Sequence, residues 1–419
     1  MPKSVVLATL VWLAAAPALA QDDPDAAALS LADQTSSKVD ADKGWQMALE
    51  VAASESSPRD GGPVLHGQRL SFDLQFDQSI AQGWRAVFSD QIDVRWQDWL
   101  SDQNTVNTLR EAYLSWQPMA ERALDLGRIN ARYGVALGYN PTDYFRAGAA
   151  RSIVSISPSS LRSNRLGSVM LRGQTLWDGG SLTALVSPKL AQAPSTAPFS
   201  LDAGATNNLN RWLIALSQAL TETIHPQWLL YGAEHQSPQL GANLTYLLND
   251  ATVAYGEWSG GRSPSQRSQA LQTPSDETFR SRLATGLTYT TTNKVSLTAE
   301  YDYNGAALDS RDWKALARSN PLPYVQYRGW AQNSQELPTR QALFLYATWQ
   351  DALVNHFDLT AMLRFNAEDR SRLSWLEARY HWDRADLALQ WQRNSGTPGS
   401  EFGALPQQHA VQVLLRYFF

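Results

Sequence analysis

The sequence predicts an all-β fold, a transmembrane antiparallel up-and-down β-barrel of about eighteen strands with short periplasmic turns and long extracellular loops. Three observations carry it. Alternation with period two repeats from Gly44 to the last residue, short and long connections take turns between the alternating segments, and the chain stops on an amphipathic strand ending at Phe419. A single alternating segment would suit a soluble sandwich equally well. Repetition and connection length decide.

The chain opens with a targeting pattern. Lys3 gives a positive start, Val5 to Ala16 an apolar stretch, and Ala18-Leu19-Ala20 a small-residue cleavage site before Gln21. Residues 1–20 are read as a signal peptide, because the apolar part is too short to span a bilayer. Residues 21–43 follow as an acidic, disordered periplasmic tail carrying Asp22, Asp23, Asp25, Asp33, Asp40 and Asp42. Residues 44–419 are assigned to the barrel. No later stretch reaches ~18 uninterrupted apolar residues, so membrane insertion requires a closed barrel with no unsatisfied sheet edge.

Composition agrees. The chain has 16 Trp and 15 Tyr, residue types that gather at membrane–water interfaces, and no cysteine, so export brings no disulfide staples. A formal net charge of −5 over 419 residues argues against a nucleic-acid partner.

Each strand in turn shows the period. Trp45, Met47, Leu49 and Val51 alternate with Gln46, Ala48 and Glu50, and Leu70, Phe72, Leu74 and Phe76 with Ser71, Asp73 and Gln75. Later, Val295, Leu297, Ala299 and Tyr301 alternate with Ser296, Thr298 and Glu300, and Leu359, Ala361, Leu363 and Phe365 with Thr360, Met362 and Arg364. Strands are expected to begin near Gly44, Gln68, Trp84, Thr108, Leu124, Ser168, Ser181, Arg211 and Gln227. The rest begin near Gln239, Thr252, Arg280, Val295, Arg340, Phe357, Ser374, Asp386 and His409. Short turns fall around Gln82-Gly83, Asp178-Gly179-Gly180, Asn249-Asp250, Thr291-Thr292-Asn293 and Asp383-Arg384. Long loops cover Ser54–Gly67, Gly138–Gly167, Pro188–Asn210, Ser259–Phe279, Gly305–Thr339 and Gly396–Gln408. Two places break the rule. Apolar parity switches between Leu124–Leu126 and Ile129–Tyr133, read as a bulge near Gly127, and Asp90 falls on an apolar face.

The histidines, His66, His225, His235, His356, His381 and His409, form no close pair with metal-ligand spacing. No metal, cofactor or catalytic residue is expected. His66 beside Asp60 and His235 beside Glu234 are read as hydrated rim residues rather than as parts of a hydrolase.

The stretch Gly138–Gly167 is rich in Gly, Ala and Ser, and holds Arg146, Arg151, Arg162 and Arg165 against Asp143. Folded inward, such a loop would narrow the lumen and place these five side chains at a constriction. Folded outward, its arginines would meet lipopolysaccharide phosphates, or wall carboxylates such as Glu111. Wall side chains expected to face the lumen are Asp73, Asp93, Glu111, Glu300, Asp358 and Glu377 against Arg172, Arg282, Arg364, Arg379 and Arg416. That balance leaves ion preference open.

Residues Thr108–Arg172 carry a recognisable series: Leu109-Arg110-Glu111-Ala112-Tyr113, Leu126-Gly127-Arg128, Tyr133-Gly134, and Asn140-Pro141 in the following loop. The series resembles the alginate-export-like proteobacterial outer-membrane porins and related uncharacterised families, with Tyr133-Gly134 in place of their Trp-Gly. The resemblance implies eighteen strands in the cell outer membrane. The final strand likewise resembles the signal read by barrel-assembly machinery.

The leading functional reading is an outer-membrane channel giving passive passage to a hydrophilic solute, anionic or polysaccharide in its finer form. A second is a structural or assembly role, with a periplasmic partner bound through Asp22–Lys43. An outer-membrane hydrolase is third. Outer-membrane lipid and lipopolysaccharide surround the barrel in every case.

Overall fold

The computed structural model describes residues 44–98, 104–195, 197 and 204–419. The expected signal peptide and acidic tail lie outside them. The first strands are β1 (Trp45–Pro58), β2 (Leu65–Ala81), β3 (Trp84–Gln97), β4 (Thr105–Met119), β5 (Arg122–Ile129) and β6 (Ser168–Trp177). Next come β7 (Gly180–Ser187), β8 (Arg211–Gln218), β9 (Ile224–Ala233), β10 (Gln239–Asn249), β11 (Thr252–Ser263) and β12 (Thr278–Thr290). The last are β13 (Val295–Asn304), β14 (Gln341–Trp349), β15 (Phe357–Asn366), β16 (Arg372–His381), β17 (Ala385–Ser395) and β18 (Gln407–Phe418). Short helices occupy connections: α1 (Pro158–Ser163), α2 (Gln266–Leu271), α3 (Ser310–Arg318) and α4 (Pro321–Asn333).

Every strand pairs antiparallel with its neighbours in sequence. β18 then pairs with β1, Leu49 opposite Tyr417 and Ala53 opposite Val413, which closes an 18-stranded barrel. Closure leaves no row of unpaired N–H and C=O groups, the one condition under which a sheet can sit in lipid. Alternation sets the faces. Val413, Leu415 and Tyr417 are exposed on the outside while Leu414 and Arg416 point in. Trp45, Trp84, Trp116, Trp177, Tyr289, Trp349 and Tyr417 are exposed where their strands meet the short turns, forming one aromatic girdle; the Trp84 and Trp116 rings stack at 6.0 Å. No helix among the described residues is long and apolar enough to cross a membrane. A closed barrel with such a belt is the form that spans an outer membrane.

The expected strand starts fall within three residues of those observed. Three details differ. The loop expected over Ser54–Gly67 shrinks to 59–64, because β1 and β2 stay paired as far as Ser56 and Leu65. The bulge expected at Gly127 is absent: Leu126, Gly127 and Arg128 pair in unbroken register with Leu114, Tyr113 and Ala112. Apolar parity flips in the sequence only because Ile129 is an apolar residue facing inward, where it joins Met170, Leu213 and Phe145. The register shift lies instead between Ser89 and Asp90, opposite Glu111 and Leu109. The Asp90 carboxylate is then satisfied by Asn107, whose amide donates to both oxygens at 2.6 and 2.7 Å.

Candidate functional site

The connection 130–167 leaves the wall at the end of β5 and runs across the lumen. On one side Phe145 packs with Met170 of β6, Leu185 of β7, Leu213 of β8 and Leu229 and Tyr231 of β9. Tyr144 stacks on Tyr231 with ring centroids 4.4 Å apart, and the Arg211 guanidinium lies 4.6 Å from the centre of the Phe145 ring. On the far side Leu137 and Ile156 pack with Phe344 of β14, Met362 of β15 and Trp375 of β16. Ser155 comes within 3.5 Å of Gln390 on β17.

Between these apolar contacts the loop backbone wraps two wall carboxylates. Glu257 of β11 accepts the N–H groups of Val135 and Ala136 on Oε2 at 3.1 and 3.2 Å. Its Oε1 takes the N–H and the hydroxyl of Thr142 at 2.7 and 2.9 Å. Glu300 of β13 accepts the N–H of Leu137 on Oε2 at 2.9 Å, and those of Gly138 and Tyr139 on Oε1 at 2.9 and 3.0 Å. The Tyr255 hydroxyl adds a bond of 2.6 Å to Glu300. Two glycines make the approach feasible. A Cβ on Gly134, whose φ is +92°, would lie 2.5 Å from the Glu257 oxygens, and one on Gly138 would lie 2.6 Å from Phe344 and 2.9 Å from Glu300. Each carboxyl group accepts at least three hydrogen bonds from the loop, so together they are well placed to fix its backbone.

Arg146, Arg162 and Arg165 are buried, Arg151 is half-buried, and each of the four is engaged. Arg165 meets Asp143 at 2.7 Å, both side chains about 2% exposed. Arg146 meets Glu336 at 2.7 Å and donates to the Asn140 carbonyl. Arg162, on α1, donates to the carbonyls of Ala136 and Gly134 at 3.1 and 3.0 Å. Arg151 donates to the carbonyls of Ser195 and Ala197. Glu336, in the outer connection 305–340, gathers Arg146, the Tyr139 hydroxyl at 2.6 Å and Arg282 at 3.8 Å. Burial works to raise the Glu336 carboxyl, but Arg146 and Arg282 outweigh it and hold it below its ordinary value.

The remaining wall candidates also point inward and mostly pair laterally. Asp73 accepts Arg110 and, at 3.1 Å, Arg416. Asp93 accepts Ser71 at 2.5 Å and lies 3.7 Å from Arg69. Arg172 meets Asp125 at 2.8 Å, with Glu111 in the field of Arg132 and Arg172. Arg379 meets Glu377 at 2.9 Å, and Asp358 meets His381 at 3.2 Å. Arg364 donates to the Gly138 carbonyl at 2.8 Å, another tie on the loop. At the rim, His66 lies 3.6 Å from Glu55 rather than beside Asp60, and His235 lies 3.4 Å from Glu234. Among the described residues no group of three or more His, Cys, Asp or Glu could hold a metal ion.

Sequence reasoning missed Glu257 and Glu336. Glu257 has a signal, since it occupies the lumen-facing parity of β11 between Tyr255 and Ser259. Glu336 sits in an irregular connection where no period marks it.

The barrel fold is shared. The crystal structure of OccAB1 from Acinetobacter baumannii superposes with a TM-score of 0.57 at 9% identity, covering 90% of this chain and 96% of that one. Pseudomonas aeruginosa OccK5 gives 0.52 at 11% identity over 90% and 98%, and P. aeruginosa OpdQ 0.52 at 9% over 90% and 99%. These neighbours are outer-membrane porins. No family model matches the sequence, and no curated protein does.

Proposed function

We propose that this barrel is a passive, non-enzymatic outer-membrane channel that admits small hydrophilic solutes past the inward connection 130–167. The observation that supports the reading is that loop, which packs on the β6–β9 and β14–β16 inner walls, while the inner wall from β16 through β18 and β1 to β4 carries paired charges. Asp143, Arg146, Arg151, Arg162 and Arg165 belong to this constriction. In the finer form of the proposal the solute is anionic or a polysaccharide. The excess of loop arginines supports an anion, and the resemblance of Thr108–Arg172 to alginate-export-like barrels is what brings a saccharide into consideration. Pairing of Arg146 with Glu336 and of Arg165 with Asp143 limits the preference to a weak one.

Conductance of the purified protein in planar bilayers, with and without residues 21–43, tests the reading. Open currents that survive removal of the tail are expected. Absent currents, with a periplasmic protein retained only by the full chain, would favour the scaffold role instead.

A further inference from the structure

We propose that Glu257 and Glu300 are positioning residues that hold 134–142 across the lumen and so set the largest solute that passes. The inference rests on the channel reading and adds to it the device that fixes the pore.

Glu257 and Glu300 are both on the inner wall, 1% and 3% exposed. A carboxyl group removed from water needs hydrogen-bond partners in its place. Here the donors are the successive N–H groups of Val135, Ala136, Leu137, Gly138, Tyr139 and Thr142, with the Thr142 and Tyr255 hydroxyls. A backbone stretch that gives its N–H groups to side chains of the wall forms neither strand nor helix. Its course is therefore fixed by Glu257 and Glu300 rather than by its own secondary structure. Carbonyl groups of the same stretch are held from the other direction, Gly138 by Arg364 and Ala136 by Arg162. The two carboxylates sit between the apolar docking points of Phe145 and Leu137, at the middle of the span.

Glutamine keeps the size of each side chain, but its NH2 faces a donor and its single oxygen cannot serve the whole set. Proteoliposome swelling with arabinose, sucrose, raffinose and stachyose reads the consequence. The sugars are neutral, so loss of a wall charge does not by itself alter their rates. Wild type is expected to admit arabinose and slow sharply along the series. Glu257→Gln and Glu300→Gln should raise the raffinose and stachyose rates several-fold relative to arabinose, and the double variant should raise them further. Heat-modifiable gel mobility checks that the barrel is closed, and hydrogen exchange at 134–142 should show lost protection.

Gly138→Ala perturbs the same contact from the loop side, crowding Phe344 as well as Glu300, and is expected to relax the size limit as well. It keeps the test open if a glutamine variant does not assemble. A folded double variant, or a folded Gly138→Ala variant, with the wild-type size limit overturns the proposal. Failure of the channel reading looks different: no protein, wild type or variant, passes even arabinose, while the variants still lose exchange protection.

Discussion

The lumen has two unlike arcs. From β6 to β16 the inward side chains include Met170, Leu185, Leu213, Leu229, Phe344, Met362 and Trp375, buried against the crossing loop as in the interior of a soluble protein. From β16 through β18 and β1 to β4 they include Arg379 on Glu377, Arg69 on Glu50 at 2.6 Å, and Arg110 and Arg416 on Asp73. In both arcs the outer faces are lined by exposed apolar residues, such as Leu171, Ile214 and Leu345 in one and Phe72, Leu389 and Val413 in the other. What differs is the medium each inner face meets. Where protein fills the lumen, many inward positions become apolar, and charged ones such as Glu257, Glu300 and Arg364 bind the loop backbone; where water is expected, they carry charges that neutralise one another along the wall. Polar-inside alternation is thus a rule about solvent, not about barrels.

Substitutions can break that contrast, beginning with the largest effect. Asp143→Ala should strand the buried Arg165 guanidinium and cost roughly 3–5 kcal/mol, the usual penalty for half of a buried pair. The midpoint of urea unfolding in detergent measures it, and a shift no larger than for a surface change would mean water reaches the pair. Next, Leu213→Ala, fully buried beneath the loop, should cost about 2–5 kcal/mol by the same measurement. A near-neutral result would show that the loop does not pack there.

A pH effect should follow in the outer connections. Burial pushes the Glu401 carboxyl up to about 7; Asn366, donating at 2.7 Å, works against the rise, and nearby Asp369 adds to it. Arg364 and Arg328 oppose it, and Arg328 also donates to the Glu401 carbonyl from α4. A carboxyl with a raised value favours the folded packing while protonated. Its destabilising share is absent near pH 4, grows from its ordinary value upward and is complete above about 7. Protease cleavage within 310–333 should therefore increase as pH rises towards 8, and Glu401→Gln should flatten the dependence. A profile unchanged by that substitution would assign the titration to another group. The smallest effect is expected from Asp77→Ala. Its pair with Arg85 is half exposed, 48% and 52%, and such pairs contribute about 0–1 kcal/mol. A loss equal to that of Asp143→Ala would erase the distinction between the arcs.

Most of the fold was legible because lipid and water impose opposite demands every second residue, and eighteen repetitions average out local noise. The same rule misled at Ile129, where an inward apolar residue imitated a bulge, since the sequence does not reveal that protein occupies that part of the lumen. Asp90 was unreadable for a related reason: its partner Asn107 comes from the next strand through a shifted register. Loop arginines were found by composition, yet their partners were not. Asp143 is close in sequence to Arg165, but Glu336 lies far from Arg146, in an aperiodic connection.

Distance along the chain also bears on how the barrel is made. The N–H of Leu137 is satisfied by a carboxylate 163 residues later, and that of Thr142 by one 115 residues later. When β5 and its following connection are synthesised, the wall that will grip them has not yet been laid down. Contacts of such long span close slowly, since chain entropy is lost before they give anything back. The crossing segment therefore docks only after β11 and β13 have taken their places. The narrowing of the lumen is thus among the last features of the fold to form.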